Sequence, residues 1–219
     1  MEKVLQFLNE LAANNNRQWF ESNKLWYEEC REKIIFITDV LINEIRKFDS
    51  NVPALDAREC MFRIFRDVRF SNDKRPYKTN FGSFISRGGR KSECPGYYFH
   101  IEPGKSFAGG GVYMPSAGPL KALRDYLATN GHEFSEIIYD ADFKRELPFM
   151  YDDQLKTTPK GFPKEHDFIG LLRYKSFAFS APVKDEYLVN GNFLEHTVSA
   201  FRQVHRVNDF LYEALKEVC

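Results

Sequence analysis

The sequence predicts an α+β fold, a central, mainly antiparallel sheet packed with N-terminal and C-terminal helices. Three observations predict it. Segments near both ends carry apolar residues at helical spacing, and the stretch from residue 60 to 112 turns to β-branched and aromatic residues punctuated by Gly and Pro. The third is that helical and strand-like patterns do not alternate, as they would in βαβ units.

Val4, Leu5, Leu8, Leu11 and Ala12 recur at helical spacing and stop at Asn14, Asn15 and Asn16, which predicts a short helix and its cap. A second helical stretch starts near Arg17. In it Trp26, Cys30, Ile34, Ile37, Leu41, Ile45 and Phe48 form one apolar stripe that must bury against something, most simply the sheet. Pro53 ends that stretch. Residues 96–102 precede Pro103 and Gly104, and residues 105–108 follow, so this strong turn signal predicts a hairpin. Residues 116–130 read as a helix with Leu120, Leu123 and Leu127 on one side, followed by a polar stretch of short helices to about residue 147. Residues 157–167, with Pro159, Gly161 and Pro163, read as a loop, residues 171–180 as a strand, and residues 193–218 as a closing helix. No internal repeat or low-complexity linker interrupts the chain, so a single domain over residues 1–219 is expected.

Composition narrows the function. With 31 basic and 31 acidic side chains among 219 residues, neither a globally basic nucleic-acid protein nor an acidic disordered chain is favoured. Aromatic residues make up 16% of the chain, which points to a core or groove built from rings. Glu2, Lys3 and Glu10 interrupt the first apolar residues, so a signal peptide is not expected there. No segment reaches the roughly 18 apolar residues that cross a bilayer. A cytoplasmic protein without a membrane partner is the expectation. Cys30, Cys60, Cys94 and Cys219 are widely spaced and predict reduced thiols without a disulfide. The five histidines show no ligand spacing, and neither a metal nor a cofactor is expected.

Two glycine motifs fail on spacing. Gly104-Lys105-Ser106 resembles the end of a P-loop, but the earlier glycine would fall at Phe99. Gly109-Gly110-Gly111 would need a third fingerprint glycine where Met114 stands. Gly110 remains a candidate for backbone contact with a phosphate, against the competing reading of close strand packing.

The strongest feature is a charge constellation. Between Arg58 and Lys91 stand ten Lys or Arg and only three carboxylates, Glu59, Asp67 and Asp73, an excess of seven in a chain that sums to zero. If residues 62–70 form one strand, Phe62, Ile64, Val68 and Phe70 share a face, and Arg66 interrupts it. An arginine there must meet a carboxylate, an anion or a bulge. Arg63, Asp67 and Arg69 would alternate on the other face, with Asp67 held ionised between two guanidinium groups. The turn Ser71-Asn72-Asp73 then leads to Lys74, Arg75 and Pro76.

The run Arg66-Asp67-Val68-Arg69-Phe70-Ser71, with Asp73-Lys74 and Pro76-Tyr77-Lys78, resembles the hallmark of a group of conserved hypothetical proteins, domain of unknown function 2461. Agreement extends through Gly96-Tyr97-Tyr98, Glu102-Pro103-Gly104, Gly109-Gly110-Gly111 before Pro115, and Pro159-Lys160-Gly161-Phe162 with His166. The resemblance spans nearly the whole chain and implies no activity, cofactor or catalytic residue.

The residues themselves suggest a small anionic ligand bearing phosphate or carboxylate. Arginine forks and lysine charges suit it, so Arg63, Arg66, Arg69, Lys74, Tyr77 and Lys78 are the candidate ligand-binding groups. Tyr98, His100 and Glu102 have the same parity and would share one sheet face. His100 and Asp67 are the candidate catalytic pair, an acid and base over the bound anion. His166, in the proline-rich loop, could approach a ligand from another segment. The alternatives are a nucleic-acid or protein binding module, or a purely structural ion-pair network. Whether the protein is an enzyme, and its oligomeric state, stay open at this level.

Overall fold

The computed structural model describes residues 1–69 and 72–219. The chain opens with α1 (Glu2–Ala13), α2 (Arg17–Ser22) and α3 (Lys24–Ile45). Three consecutive asparagines shape the first turn. Asn14 donates its amide to the Glu10 carbonyl at 3.0 Å, Asn16 accepts from Trp19 N at 3.0 Å, and Asn15 reaches outward to Tyr77. The helical stretch expected from Arg17 is two helices, because Asn23 turns its amide back onto the Trp19 carbonyl at 2.8 Å and leaves helical geometry.

Next come α4 (Ala57–Cys60), capped by the Asp56 carboxylate, and strands β1 (Phe81–Ile85), β2 (Gly96–Ile101) and β3 (Phe107–Val112). The expected hairpin joins β2 to β3, with Gly104 at φ +69° in its turn. Then follow α5 (Ala117–Tyr139), α6 (Ala141–Glu146), β4 (Phe149–Met150), α7 (Ile169–Leu172), β5 (Phe177–Pro182), α8 (Asp185–Asn190) and α9 (Phe193–Ala214). The five strands form an antiparallel sheet in the order β1-β2-β3-β5-β4, and terminal helices pack on it, so the fold is α+β. Among the described residues no helix is long and apolar enough to cross a membrane.

The chain divides into two compact units. The first comprises Met1–Ile85, Tyr98–Phe107 and Pro182–Val198. Its core is built from Phe7, Leu8 and Leu11 of α1 and Ile34, Leu41 and Ile45 of α3, with the Phe7 and Tyr27 rings stacked on Phe81 at 6.3 and 6.1 Å. Each such fully buried side chain contributes on the order of 2 kcal/mol. Thr38 and Ser83 bury hydroxyls between α3 and β1 and satisfy each other at 2.9 Å.

The second unit comprises Ser86–Tyr97, Ala108–Ala181 and Ser199–Cys219. Phe134 packs against Phe177, Phe179 and Phe210, and Phe201 of α9 lies 5.3 Å from the Tyr97 ring. Helix α5 runs beyond the expected end at Asn130, with a kink at that residue. Gly131 beside it admits the Phe168 ring, which would lie 2.4 Å from an added Cβ.

Three expectations are corrected. Residues 62–69 hold one isolated bridge, Phe65 with Tyr77, and follow another, Met61 with Ser83, rather than forming a continuous strand. The carboxylates of Asp67 and Asp73 capture the N–H groups of Arg69 and Arg75, and Pro76 has none to give, so a ladder cannot extend. Phe70 and Ser71, part of the expected strand and turn, lie outside the described residues. Residues 171–180 begin as helix α7, and Arg124 binds the carbonyls of Leu172 and Tyr174 at 2.7 and 3.0 Å before β5 starts. Cys94 and Cys219 form a disulfide, with Cα atoms 5.6 Å apart, contrary to the expectation of four thiols. The chain returns after α9 to the segment before β2, so wide spacing in sequence no longer argues for reduced cysteines.

Candidate functional site

The basic segment of the first unit is a loop cinched at several points. Arg66 N donates to the Pro76 carbonyl at 2.9 Å and Lys78 N to the Ile64 carbonyl at 2.8 Å, which holds its two arms together. Asn15 makes a two-point amide pair with Tyr77, donating to its carbonyl at 3.0 Å and accepting from its N–H at 3.1 Å. The Tyr77 ring is buried and stacked on Phe20 at 4.0 Å. Tyr77, a candidate ligand residue, is therefore an anchor of the loop.

Inside the loop the arginines meet carboxylates. Arg66, which interrupted the apolar pattern, pairs with Asp73 at 3.0 Å, and Arg75 pairs with the same carboxylate at 2.7 Å. Hydrogen bonds from Arg75, then the charge of Arg66, hold Asp73 well below the usual carboxylate range. Asp67 pairs with Arg69 at 2.7 Å. Hydrogen bonding from Arg69 lowers its pKa to about 2, and Arg63 adds a weaker charge effect. Lys74 donates to the Val68 carbonyl at 3.0 Å.

The loop borders a polar row along β2 and the residue that follows it. Tyr98, His100 and Glu102 point the same way and are joined: the Tyr98 hydroxyl lies 3.0 Å from His100 Nδ1, and His100 Nε2 lies 3.2 Å from Glu102. Thr79 donates to the other Glu102 oxygen at 3.0 Å, and the Asn80 amide lies 3.4 Å from His100 Nδ1. Burial lowers the His100 pKa, against the raising influence of Glu102, and Lys78 lowers it further. Packing fixes the row. Phe107 stacks on the imidazole at 4.8 Å, Phe62 meets Tyr98 edge-on at 6.0 Å, and Lys78 lies over the Phe62 ring. Gly82 leaves the space in which the Tyr98 hydroxyl lies.

Lys78 acts on His100 by charge, as Arg75 does on Glu102. The structure does not pair His100 with Asp67; the carboxylate that His100 meets is Glu102. Thr79, Asn80, Glu102 and Tyr98 complete the constellation around the two candidates.

Gly110 and His166 belong to the second unit. A Cβ at Gly110 would lie 2.2 Å from the Gly96 carbonyl oxygen and 2.4 Å from Val204, which is close packing. His166 accepts from Phe168 N at 3.1 Å and caps its own turn. The same unit has a groove of about 590 Å³ lined by Tyr139, Phe143, Leu147, Phe168 and Tyr174, with Lys144 and Asp167 among its polar residues. Its lining is spread over too many segments for local spacing to reveal. Among the described residues no three His, Cys, Asp or Glu side chains group as a metal-ligand set.

A family model described as conserved hypothetical protein, DUF2461, matches residues 3–210. No curated protein and no solved structure matches the chain.

Proposed function

Because the chain belongs to the DUF2461 family of conserved hypothetical proteins, which brings no activity with it, we propose a function from the first unit alone. It binds a small anionic ligand, bearing phosphate or carboxylate, where the basic loop meets the polar row of β2.

One observation carries this reading. Thr79 and Asn80 hydrogen-bond Glu102 and His100, so the end of the basic loop and the row border the same surface. Lys78 supplies a cation there, and the Asn80 amide, one of whose two hydrogens faces His100, has a second that can donate to an anion's oxygen. The paired arginines, Arg66, Arg69 and Arg75, chiefly hold the loop, and the net excess of positive charge draws anions toward it.

The test is a thermal-shift titration with inorganic phosphate, a small dicarboxylate and a single-stranded oligonucleotide. Phosphate or dicarboxylate should raise the melting temperature of the wild type and have little effect on Lys78→Ala. Stabilisation by the oligonucleotide alone would favour the nucleic-acid alternative. No stabilisation by any of them would sink the anion reading.

A further inference from the structure

Resting on the anion site proposed above, we propose that Tyr98 is a catalytic nucleophile toward small phosphate or carboxylate esters, activated by His100, which Glu102 orients. The hydrogen-bond order supports this role. An ionised Glu102 only accepts, so the imidazole hydrogen lies on Nε2, and Nδ1 accepts the phenol hydrogen at 3.0 Å. Thr79 fixes the far oxygen of Glu102 at 3.0 Å, so the carboxylate cannot swing away from the ring. Nucleophile, base and orienting carboxylate are the three parts that activated hydroxyl groups require.

The site is built around the phenol. An added Cβ at Gly82 would stand 2.5 Å from the Tyr98 hydroxyl oxygen, so the missing side chain at residue 82 lets the phenol reach His100. Phe107 lies parallel to the imidazole within 12°, which limits rotation of the base.

The chemistry balances without a further reactant except water. The phenol oxygen forms a bond to phosphorus or to the carbonyl carbon as its proton passes to His100 Nδ1. The bond to the departing alcohol oxygen breaks, and that oxygen takes the proton from His100. Water then attacks the tyrosyl ester, its proton returns through His100 to the phenol oxygen, and the free acid leaves. Lys78 offsets the negative charge on the ligand.

The experiment uses benzenesulfonyl fluoride, whose S–F bond breaks as a phenol oxygen bonds to sulfur. Mass spectrometry reads the adduct at Tyr98 against Tyr139, which is 59% exposed and serves as an internal reference. Tyr98 should label roughly tenfold faster than Tyr139, and His100→Gln should remove that advantage. Glu102→Gln should reduce it, and carries the comparison if circular dichroism shows that His100→Gln does not fold. Inorganic phosphate should slow labelling of Tyr98 and leave Tyr139 unchanged. Phosphate stabilisation with Tyr98 no faster than Tyr139 overturns the nucleophile and leaves the anion site standing. Rapid labelling that survives His100→Gln, or that phosphate does not slow, overturns the activated-tyrosine assignment or its ester substrate respectively.

Discussion

Gly82 lies beneath the phenol of Tyr98, so close that a β-carbon at residue 82 would come within 2.5 Å of the hydroxyl oxygen. Gly82→Ala should therefore push the ring off His100. Overpacking of this kind costs about 1 to 3 kcal/mol. Urea denaturation should show the loss, and the His100 ring resonances should shift as the hydrogen bond to Tyr98 breaks. Unchanged resonances would mean that the phenol has another way to reach the ring.

Asn15→Ala should loosen the basic loop without unfolding the unit. The two-point amide pair with Tyr77 leaves two backbone groups to find other partners when the side chain goes. A loss of about 1 to 2 kcal/mol is expected. Hydrogen exchange at Tyr77 N–H should speed up well ahead of exchange in the α3 helix.

Acid should act on the loop through Asp67 and Asp73. Both carboxyls titrate below their ordinary value of 3.8, Asp67 at about 2, so their stabilising effect is complete above pH 3.8. It is lost as pH falls through the native values. Denaturation midpoints measured from pH 5 down to pH 2 should fall less steeply for Asp67→Asn than for the wild type. Because the Asp67–Arg69 pair is exposed, about 0.5 M salt should shrink the difference.

His100 gives the same direction of dependence at higher pH. Its pKa is lowered from 6.5, chiefly by burial, so the native state favours the neutral ring. Its contribution is complete above pH 6.5 and declines as pH falls below it, toward the lowered native value. NMR titration should place its midpoint below 6.5 in the wild type, and Glu102→Gln should move it lower still by removing the partner that favours the cation.

Cys219→Ser should destabilise the second unit. The bond with Cys94 closes a sequence separation of 125 residues, and loops of that size are stabilised by about 2 to 5 kcal/mol when cross-linked. Alkylation of the denatured, unreduced protein should leave Cys94 and Cys219 unmodified, and prior reduction should expose both. Modification of either without reduction would contradict the pairing.

Much of the site was written in alternation along one strand. Tyr98, His100 and Glu102 stand two apart, and the pleat alone puts them on one face. Thr79 and Asn80 were not legible because their contacts depend on how one segment lies beside another, which no local spacing encodes. Arg66 announced that it needed a partner, and the structure supplies Asp73, seven residues on. The strand expected around it failed because propensity and parity do not count the backbone N–H groups that side-chain carboxylates divert. The disulfide was missed for a related reason, since distance along the chain says nothing of distance across it.

The pairing of Asn15 with Tyr77 joins positions 62 residues apart. Bringing such distant points together costs conformational entropy, whereas the bonds across the loop's own arms, Arg66 to Pro76 and Lys78 to Ile64, close over short stretches of chain. The loop can therefore close on itself before it is tethered, and the tether exists only once the α1–α2 turn presents Asn15. A molecule whose first turn is unformed would carry a cinched loop without the amide pair that fixes Tyr77.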